Sequence, residues 1–455
     1  MSLGYVFLTI AVGVFEAKRI SGRGPDAISI FIVLFVLQCC LPGIVIYACL
    51  PLVEGPSPTD VYAFDRIFAA ADLPAALLIL GLTAWFVFFF YSFAALNGRL
   101  LRNFLGPAPS GLRLVLTGSP SRLLIVLAFG FALSVGSFYV LGSTLVERFT
   151  NLILYRAGDK DVQSSLFNAF AFALTQTWAW LSVPALFVIY ERHGRRLSWL
   201  LCLFFLGVIM LLGVSRRALF IPLLLAYLTL VLFDHRWRAR WLLAAAIPVL
   251  LWIAFGKELI GSVAFGGTLG DVAGRYETLS ASLLRTASEI GLTIVESLGS
   301  INLLDLPPRF GVDHLLSVLR EIPTSHRWLG ILPTRIVRLS TAAFAAPYDE
   351  DIPPGLFGQM WMDFRVFGPI VWGLILSLQM SVVQHVFART IRTRQAVALF
   401  VLVTFVVALP LTTGTYDFTF SIDIYVLVLC LFLTFRFIRV RVPTAAYAAV
   451  GGARR

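Results

Sequence analysis

Apolar residues run along this chain in long, nearly unbroken blocks, and the polar residues collect between them. Such blocks near 3–16, 28–53, 73–96, 123–143, 166–190, 199–213, 218–233, 241–256, 366–388, 396–413 and 419–435 read as membrane spans. A helix needs about 20 apolar residues to cross roughly 30 Å of hydrocarbon, and several blocks are shorter than that. In lipid each span must satisfy its own backbone hydrogen bonds, and the Leu/Val/Phe runs lack the alternation of barrel strands, so the blocks predict helices. The expected fold is an all-α polytopic membrane protein with about 11 transmembrane helices, within a range of about 10–12. Residues 1–256 supply the first eight spans and 366–435 the last three, with a long polar segment at 257–365 between them and a basic tail at 436–455.

Charge orients the chain. Segments 17–27, 98–122, 191–198, 234–241, 389–394 and 436–455 hold 21 of the 36 Lys and Arg residues, against only Asp26, Glu191 and Asp234. Short loops rich in Lys and Arg stay in the cytoplasm. The alternate connections, including 54–72, 144–165, 214–217, 257–365 and 414–418, are therefore expected outside. A composition of 59% hydrophobic and 13% charged residues agrees with a protein dissolved in lipid. The net charge of +11 lies in loops beside the membrane, where retention signals and anionic lipid account for it, so nucleic acid is not an expected partner.

Cys39, Cys40, Cys49, Cys202 and Cys430 all fall in apolar blocks, without metal-ligand spacing, and read as packing residues. The first block ends in Phe15-Glu16-Ala17-Lys18-Arg19, unlike a cleaved signal peptide, and is expected to remain as a helix. No internal repeat is visible, which disfavours transporter folds built from matching halves.

Within 257–365, Leu279, Leu283, Ile290, Ile294 and Leu298 recur at helical spacing, with Ser282, Arg285, Glu289 and Thr293 on another face. A second amphipathic helix is expected over Gly311–Ile322, where His314 and Glu321 share a face and Pro323 ends the run. A third, 334–344, places Arg335 and Arg338 one turn apart, and Pro347-Tyr-Asp-Glu-Asp-Ile-Pro-Pro-Gly355 reads as a rigid acidic turn. Such helices suit a cap lying partly in the interface above the bilayer, or a solvated structural domain.

Two further patterns point to chemistry. Ser215-Arg216-Arg217 turns the chain back on the outer side with almost no loop. Its arginines either snorkel to head groups or grip a phosphate-bearing ligand, for which guanidinium is well shaped. The run Gly355-Leu-Phe-Gly-Gln-Met-Trp-Met-Asp-Phe-Arg-Val-Phe-Gly368 carries Gln359, Trp361, Asp363 and Arg365 into the start of a span. Asp363 and Arg365 are two apart, so on a helix they diverge and each is free to meet a ligand or another helix.

With these residues assembled, the chain resembles the O-antigen polymerase (Wzy-type) family of bacterial oligosaccharide repeat-unit polymerases over about 199–388. The family's outer Ser-Arg hairpin is similar to Ser215-Arg216, opening a Leu-rich helix as Ala218-Leu-Phe-Ile-Pro-Leu-Leu-Leu does, and a large outer loop follows two spans later. The loop's end is similar to Pro354-Gly-Leu-Phe-Gly-Gln-Met-Trp-Met-Asp-Phe364. Three positions depart: Gln359 stands where the family has Glu, Asp363 replaces Asn, and Arg365 interrupts a Phe-Gly pair. The family's Arg-rich loop motif is only approximated by Arg320 and Gly330.

The resemblance implies a GT-C-like glycosyltransferase architecture and transfer on the periplasmic side of the inner membrane. The growing glycan would leave undecaprenyl pyrophosphate and join the next lipid-linked repeat unit. Its implied partners are that lipid-linked oligosaccharide, the bilayer, and a chain-length regulator and flippase of the same pathway. Such a transfer needs cations for the leaving pyrophosphate and a base for the acceptor hydroxyl. Candidate pyrophosphate ligands are Arg216, Arg217, Arg275 and Arg285, although Arg285 can instead pair with Glu289. Candidate bases are His314 and His326, because an imidazole titrates near neutrality, with Asp349 and Glu350 as acidic competitors. Trp361 and Trp328 are candidates to stack on sugars or to anchor the interface. A metal is not required if arginines supply the charge, and neither metal nor cofactor is expected. The rival readings are an O-antigen ligase or another lipid-linked glycosyltransferase, which would share the cap, the arginines and the base, one such class placing its carboxylates in the first outer loop, here Asp60 and Asp65, and a transporter such as a lipid-linked oligosaccharide flippase or an ion-coupled carrier.

Overall fold

The computed structural model describes residues 1–23, 25–52, 67–68, 72–105, 112–140, 180–191, 216–233, 279–303, 307–321, 353–391, 393–416 and 422–441. These are mostly helical. In chain order the helices are α1 (Ser2–Arg23), α2 (Ala27–Phe35), α3 (Leu41–Cys49), α4 (Leu73–Leu105), α5 (Pro120–Val140), α6 (Trp180–Glu191) and α7 (Arg216–Phe233). Then follow α8 (Leu279–Ile290), α9 (Leu292–Leu303), α10 (Val312–Glu321), α11 (Leu356–Phe364), α12 (Gly368–Ala388), α13 (Arg394–Val407), α14 (Pro410–Thr413) and α15 (Ile422–Thr434).

Four helical stretches among the described residues are long and apolar enough to cross a membrane: Ala27–Leu52, Leu73–Phe104, Leu356–Ala388 and Arg394–Thr412. Pro120–Phe129, Trp180–Glu191 and Ile424–Thr434 are shorter apolar helices. The expected spans 199–213 and 241–256 lie outside the described residues, as does the amphipathic helix expected over 334–344.

Local chemistry sets the helix ends. Asp26 caps α2 by accepting from Ser29 N, while Asp26 N donates to Ser29 Oγ, a reciprocal capping box. Asp72 accepts from Ala75 N at the start of α4, and Thr393 accepts from Ala396 N at the start of α13. Between α2 and α3 the helix widens into a π turn over Val36–Cys40. Pro42 follows at once; it lacks an N–H and its ring crowds the carbonyl four residues back, which accounts for the widening.

The centre is aromatic and closely packed. Phe31 stacks on Phe90 with centroids 4.3 Å apart, and Phe86 leans against both Phe31 and Phe35. Gly373 of α12 lies against Phe89 and Phe90 of α4, where a Cβ would come within 3.1 Å of the Phe90 backbone. Small residues of this kind let membrane helices approach closely. Asn97 Nδ2 then donates to Ser377 Oγ at 3.0 Å between the same two helices.

Two observations depart from the expected helices. Leu112–Gly118 (β1) and Phe435–Arg441 (β2) form an antiparallel ribbon, with Leu112 opposite Arg441 and Gly118 opposite Phe435. The hydrophobic pattern reads both as connections, because each strand abuts an apolar helix and shares its hydrophobicity. The amphipathic helix expected over 279–298 is also two helices, broken at Gly291. A Cβ there would sit 2.2 Å from the Pro42 ring, so the chain must bend around α3. In the second of the two, α9, Thr293 through Ser300 are buried in the core.

The bundle has two chemically distinct ends. At one, Ala27 N donates to Gln384 Oε1, β1 pairs with β2, and Leu114 N donates to Arg389 O. Segments 17–27, 98–122, 389–394 and 436–441, grouped by charge in the sequence, thus meet there. Arg19 organises this end by bonding Glu16, Asp26 and Ser29, and Tyr91 OH donates to Glu16 Oε2 at 2.9 Å. At the other end, α10, α11, the start of α12 and the turn after α14 converge.

Candidate functional site

The convergence begins with a run of hydroxyls on α9. Leu356 N donates to Thr293 Oγ1 at 2.7 Å, Gly358 N donates to Ser297 Oγ at 3.0 Å, and Ser300 Oγ donates to Pro354 O at 2.9 Å. Residues 293, 297 and 300 share one helical face, so Thr293 and Ser297 satisfy free N–H groups that open α11 while Ser300 holds the carbonyl just ahead of it. Gly355 is held at φ +71, with Thr293 O where a Cβ would go. The turn after α14 presses on the same point. Gly414, also at φ +71, would drive a Cβ to 2.2 Å from Gly355 O.

At its other end α11 stops at Arg365, whose φ of +53 diverts the chain before α12 begins. The terminal carbonyls of α11 are taken up by the loop ahead of α10: Arg309 N donates to Met362 O and Phe310 N donates to Asp363 O, each at 3.0 Å. Gly311, at φ +76, then turns the chain into α10 and donates its N–H to Asp363 Oδ1. This stitching delivers His314, on the first turn of α10, to Asp363.

His314 Nε2 lies 3.0 Å from Asp363 Oδ2. The Asp363 carboxylate is wholly buried, and Gln359 Nε2 donates to its Oδ1 at 2.9 Å. Three donors thus surround one carboxylate: an imidazole, an amide and a backbone N–H. The His314 ring is further fixed by edge contacts with Trp372, at 5.0 Å, and Tyr416, at 5.4 Å, which stack on each other with planes 10° apart. Tyr416 OH donates to Gln379 Oε1, and burial pushes the phenol up to about 12 against a smaller opposing effect of that bond. In its neutral form, with Nε2 bonded to a carboxylate, the imidazole carries its proton there and its lone pair on Nδ1. Nδ1 and Gln359 Oε1 are both covered and without a hydrogen-bond partner among the described residues.

One turn earlier an ion pair flanks this contact. Arg309 Nε and Nη2 engage both oxygens of Asp313, a carboxylate that is 2% exposed. The bond to Asp313 raises the Arg309 guanidinium above its ordinary range, keeping it charged.

The sequence candidates divide accordingly. His314, Gln359 and Asp363 come together. Arg365 lies over the Trp361 ring, 5.2 Å from its centroid, so these two candidates form a cation–π contact. Arg216 and Arg217 open α7, and Arg285 lies within α8, but their side chains are outside the described residues, as are those of Glu289 and Glu321. Arg275, His326, Trp328, Asp349, Glu350, Asp60 and Asp65 also lie outside them. Sequence reasoning missed Arg309, Trp372 and Tyr416, and the supporting role of Thr293, Ser297 and Ser300. Trp372 was hidden inside an apolar block; the three hydroxyls recur at helical spacing and were legible as a stripe.

No family model, curated protein or solved structure matches the chain.

Proposed function

We propose that the chain is a membrane-embedded glycosyltransferase of the bacterial inner membrane that polymerises undecaprenyl-pyrophosphate-linked oligosaccharide repeat units at the periplasmic face. The observation that supports this reading most is the pairing of His314 with Asp363. It joins a histidine of the long polar segment to the acidic residue of the helix entrance, and such a pair orients an imidazole as a general base.

In this mechanism Asp363 holds the proton of His314 on Nε2, and Nδ1 accepts the proton of the acceptor hydroxyl as its oxygen attacks the anomeric carbon of the donor sugar. The bond from that carbon to the pyrophosphate oxygen breaks, and the undecaprenyl pyrophosphate leaves with the electron pair. Arg216 and Arg217 are the proposed cations for the leaving group. Nδ1 is covered while the side chain is 18% exposed, so the acceptor must displace its cover to reach it.

Incubating the purified protein with a defined undecaprenyl-pyrophosphate oligosaccharide tests the proposal. A ladder of integral repeats is the expected product. No ladder with a matched repeat unit would overturn it, whereas a single transfer to a lipid acceptor would identify a ligase. Movement of unaltered substrate into empty liposomes would identify a transporter.

A further inference from the structure

The β1–β2 ribbon sits where several apolar helices begin or end. β2 leaves α15 with no residue between Thr434 and Phe435, and β1 enters α5 through Ser119 alone, whose N–H donates to Thr434 O at 3.3 Å. On its other side β1 pairs with the turn joining α12 to α13, where Leu114 N donates to Arg389 O and Ile391 N donates to Leu114 O. β2 is therefore the outer strand, held at the level where the apolar helices stop.

Its side chains suit neither water nor hydrocarbon alone. Phe437, Ile438 and Val440 are 47%, 48% and 40% exposed, and they are interleaved with exposed Arg436 and Arg439. Phe435 and Leu116 turn inward, so the ribbon is anchored while its outer part stays open. The register sets Arg436 opposite Thr117, Ile438 opposite Val115 and Val440 opposite Arg113, which puts Arg113 and Arg436 with three aliphatic side chains on one face and leaves Arg439, opposite Leu114, on the other. Glu191, the acidic group that reaches this end from α6, accepts from Arg394 N. Neither Arg436 nor Arg439 has an ion pair with a described acidic residue. In water an exposed apolar edge strand is an aggregation hazard. At a bilayer surface the long arginine side chains of either face reach phosphate depth while the apolar side chains beside them meet the acyl boundary.

We propose that this ribbon is a binding site for anionic phospholipid head groups, with Arg436 on one face and Arg439 on the other reaching phosphates, and Ile438 and Val440 in the acyl boundary. The charge excess at this end and the continuity of both strands with apolar helices favour a lipid over a protein partner.

Thermal unfolding of the full chain in a neutral detergent, with phosphatidylglycerol or phosphatidylcholine added, tests the site. Phosphatidylglycerol should raise the midpoint and phosphatidylcholine should not. The Arg436→Gln/Arg439→Gln variant should lose more than half of that rise, and Arg436→Lys/Arg439→Lys should keep most of it. An equal rise in the Gln variant, or an equal response to phosphatidylcholine, would overturn the proposal. A second measurement leaves the arginines in place: a fluorophore on Ile438→Cys in phosphatidylglycerol vesicles should be quenched by brominated acyl chains, and quenching by aqueous iodide alone would overturn it.

Discussion

His314 and Asp363 are 49 residues apart in sequence, yet Nε2 of one lies 3.0 Å from Oδ2 of the other. The contact exists because the carbonyls ending α11 accept the N–H groups of Arg309 and Phe310, which brings α10 to Asp363. His314→Ala should reduce polymer formation by about 10²–10⁴-fold, the usual contribution of a positioned base, and leave membrane insertion unchanged. Ladder intensity against the amount of purified protein is the measurement. Undiminished activity in this variant would remove His314 from the mechanism.

Asp363→Asn addresses orientation rather than the base itself. The amide keeps the shape but loses one acceptor oxygen, so His314, Gln359 and Gly311 can no longer all donate to it. Activity should fall, and stability should drop by about 1–3 kcal/mol for the donor left unpaired in a buried site. Denaturation in detergent alongside the ladder assay separates the two effects.

Much of this site was legible in the sequence, and the reason is local. Gln359 and Asp363 are i and i+4 in a glycine-bounded run, and His314 follows a Gly at a helix start, so their elements could be read from spacing. Their meeting could not. It depends on positive-φ turns at Phe310, Gly311 and Arg365, where only Gly311 signals the conformation by its identity. Trp372 and Tyr416 were hidden because an aromatic residue in or beside an apolar block reads as packing. The β1–β2 ribbon escaped for a related reason: β-branched and apolar residues next to a span extend its hydrophobic signal rather than end it.

Ser297→Ala tests the hydroxyl stripe on α9. Ser297 Oγ accepts from Gly358 N, and the substitution leaves that N–H buried without a partner. A loss of about 1–3 kcal/mol is expected. Ser297→Ala combined with Ser300→Ala should depart from additivity, because both residues fix the same turn at 354–358. Strict additivity in equilibrium unfolding would show that the two bonds act independently.

Gly414→Ala should be far worse than a helical glycine substitution. Its φ of +71 already disfavours a side chain, and the Cβ would lie 2.2 Å from Gly355 O, a backbone atom that cannot rotate aside. Gly81 lies on α4 with nothing within 4 Å of where a methyl would stand, so Gly81→Ala should be neutral or stabilising by up to about 1 kcal/mol through helix propensity. Yield of monodisperse protein compares the two; equal yields would contradict the close contact of the 355 and 414 turns.

Tyr416 gives the site a predictable alkaline response. Burial favours the neutral phenol in the folded protein up to about 12, while an unfolded tyrosine ionises near 10. Between those values the folded state binds more protons than the unfolded state, so this contribution to stability is complete below about pH 10 and lost as pH rises toward about 12. Tyr416→Phe retains a ring to stack on Trp372 but has no proton to lose. Unfolding followed from about pH 9 to about pH 12, a window chosen around those ordinary values, should therefore fall more steeply for the wild type than for Tyr416→Phe. Parallel curves would mean that the phenol reaches water, and the wall of the proposed site beside His314 would then be open.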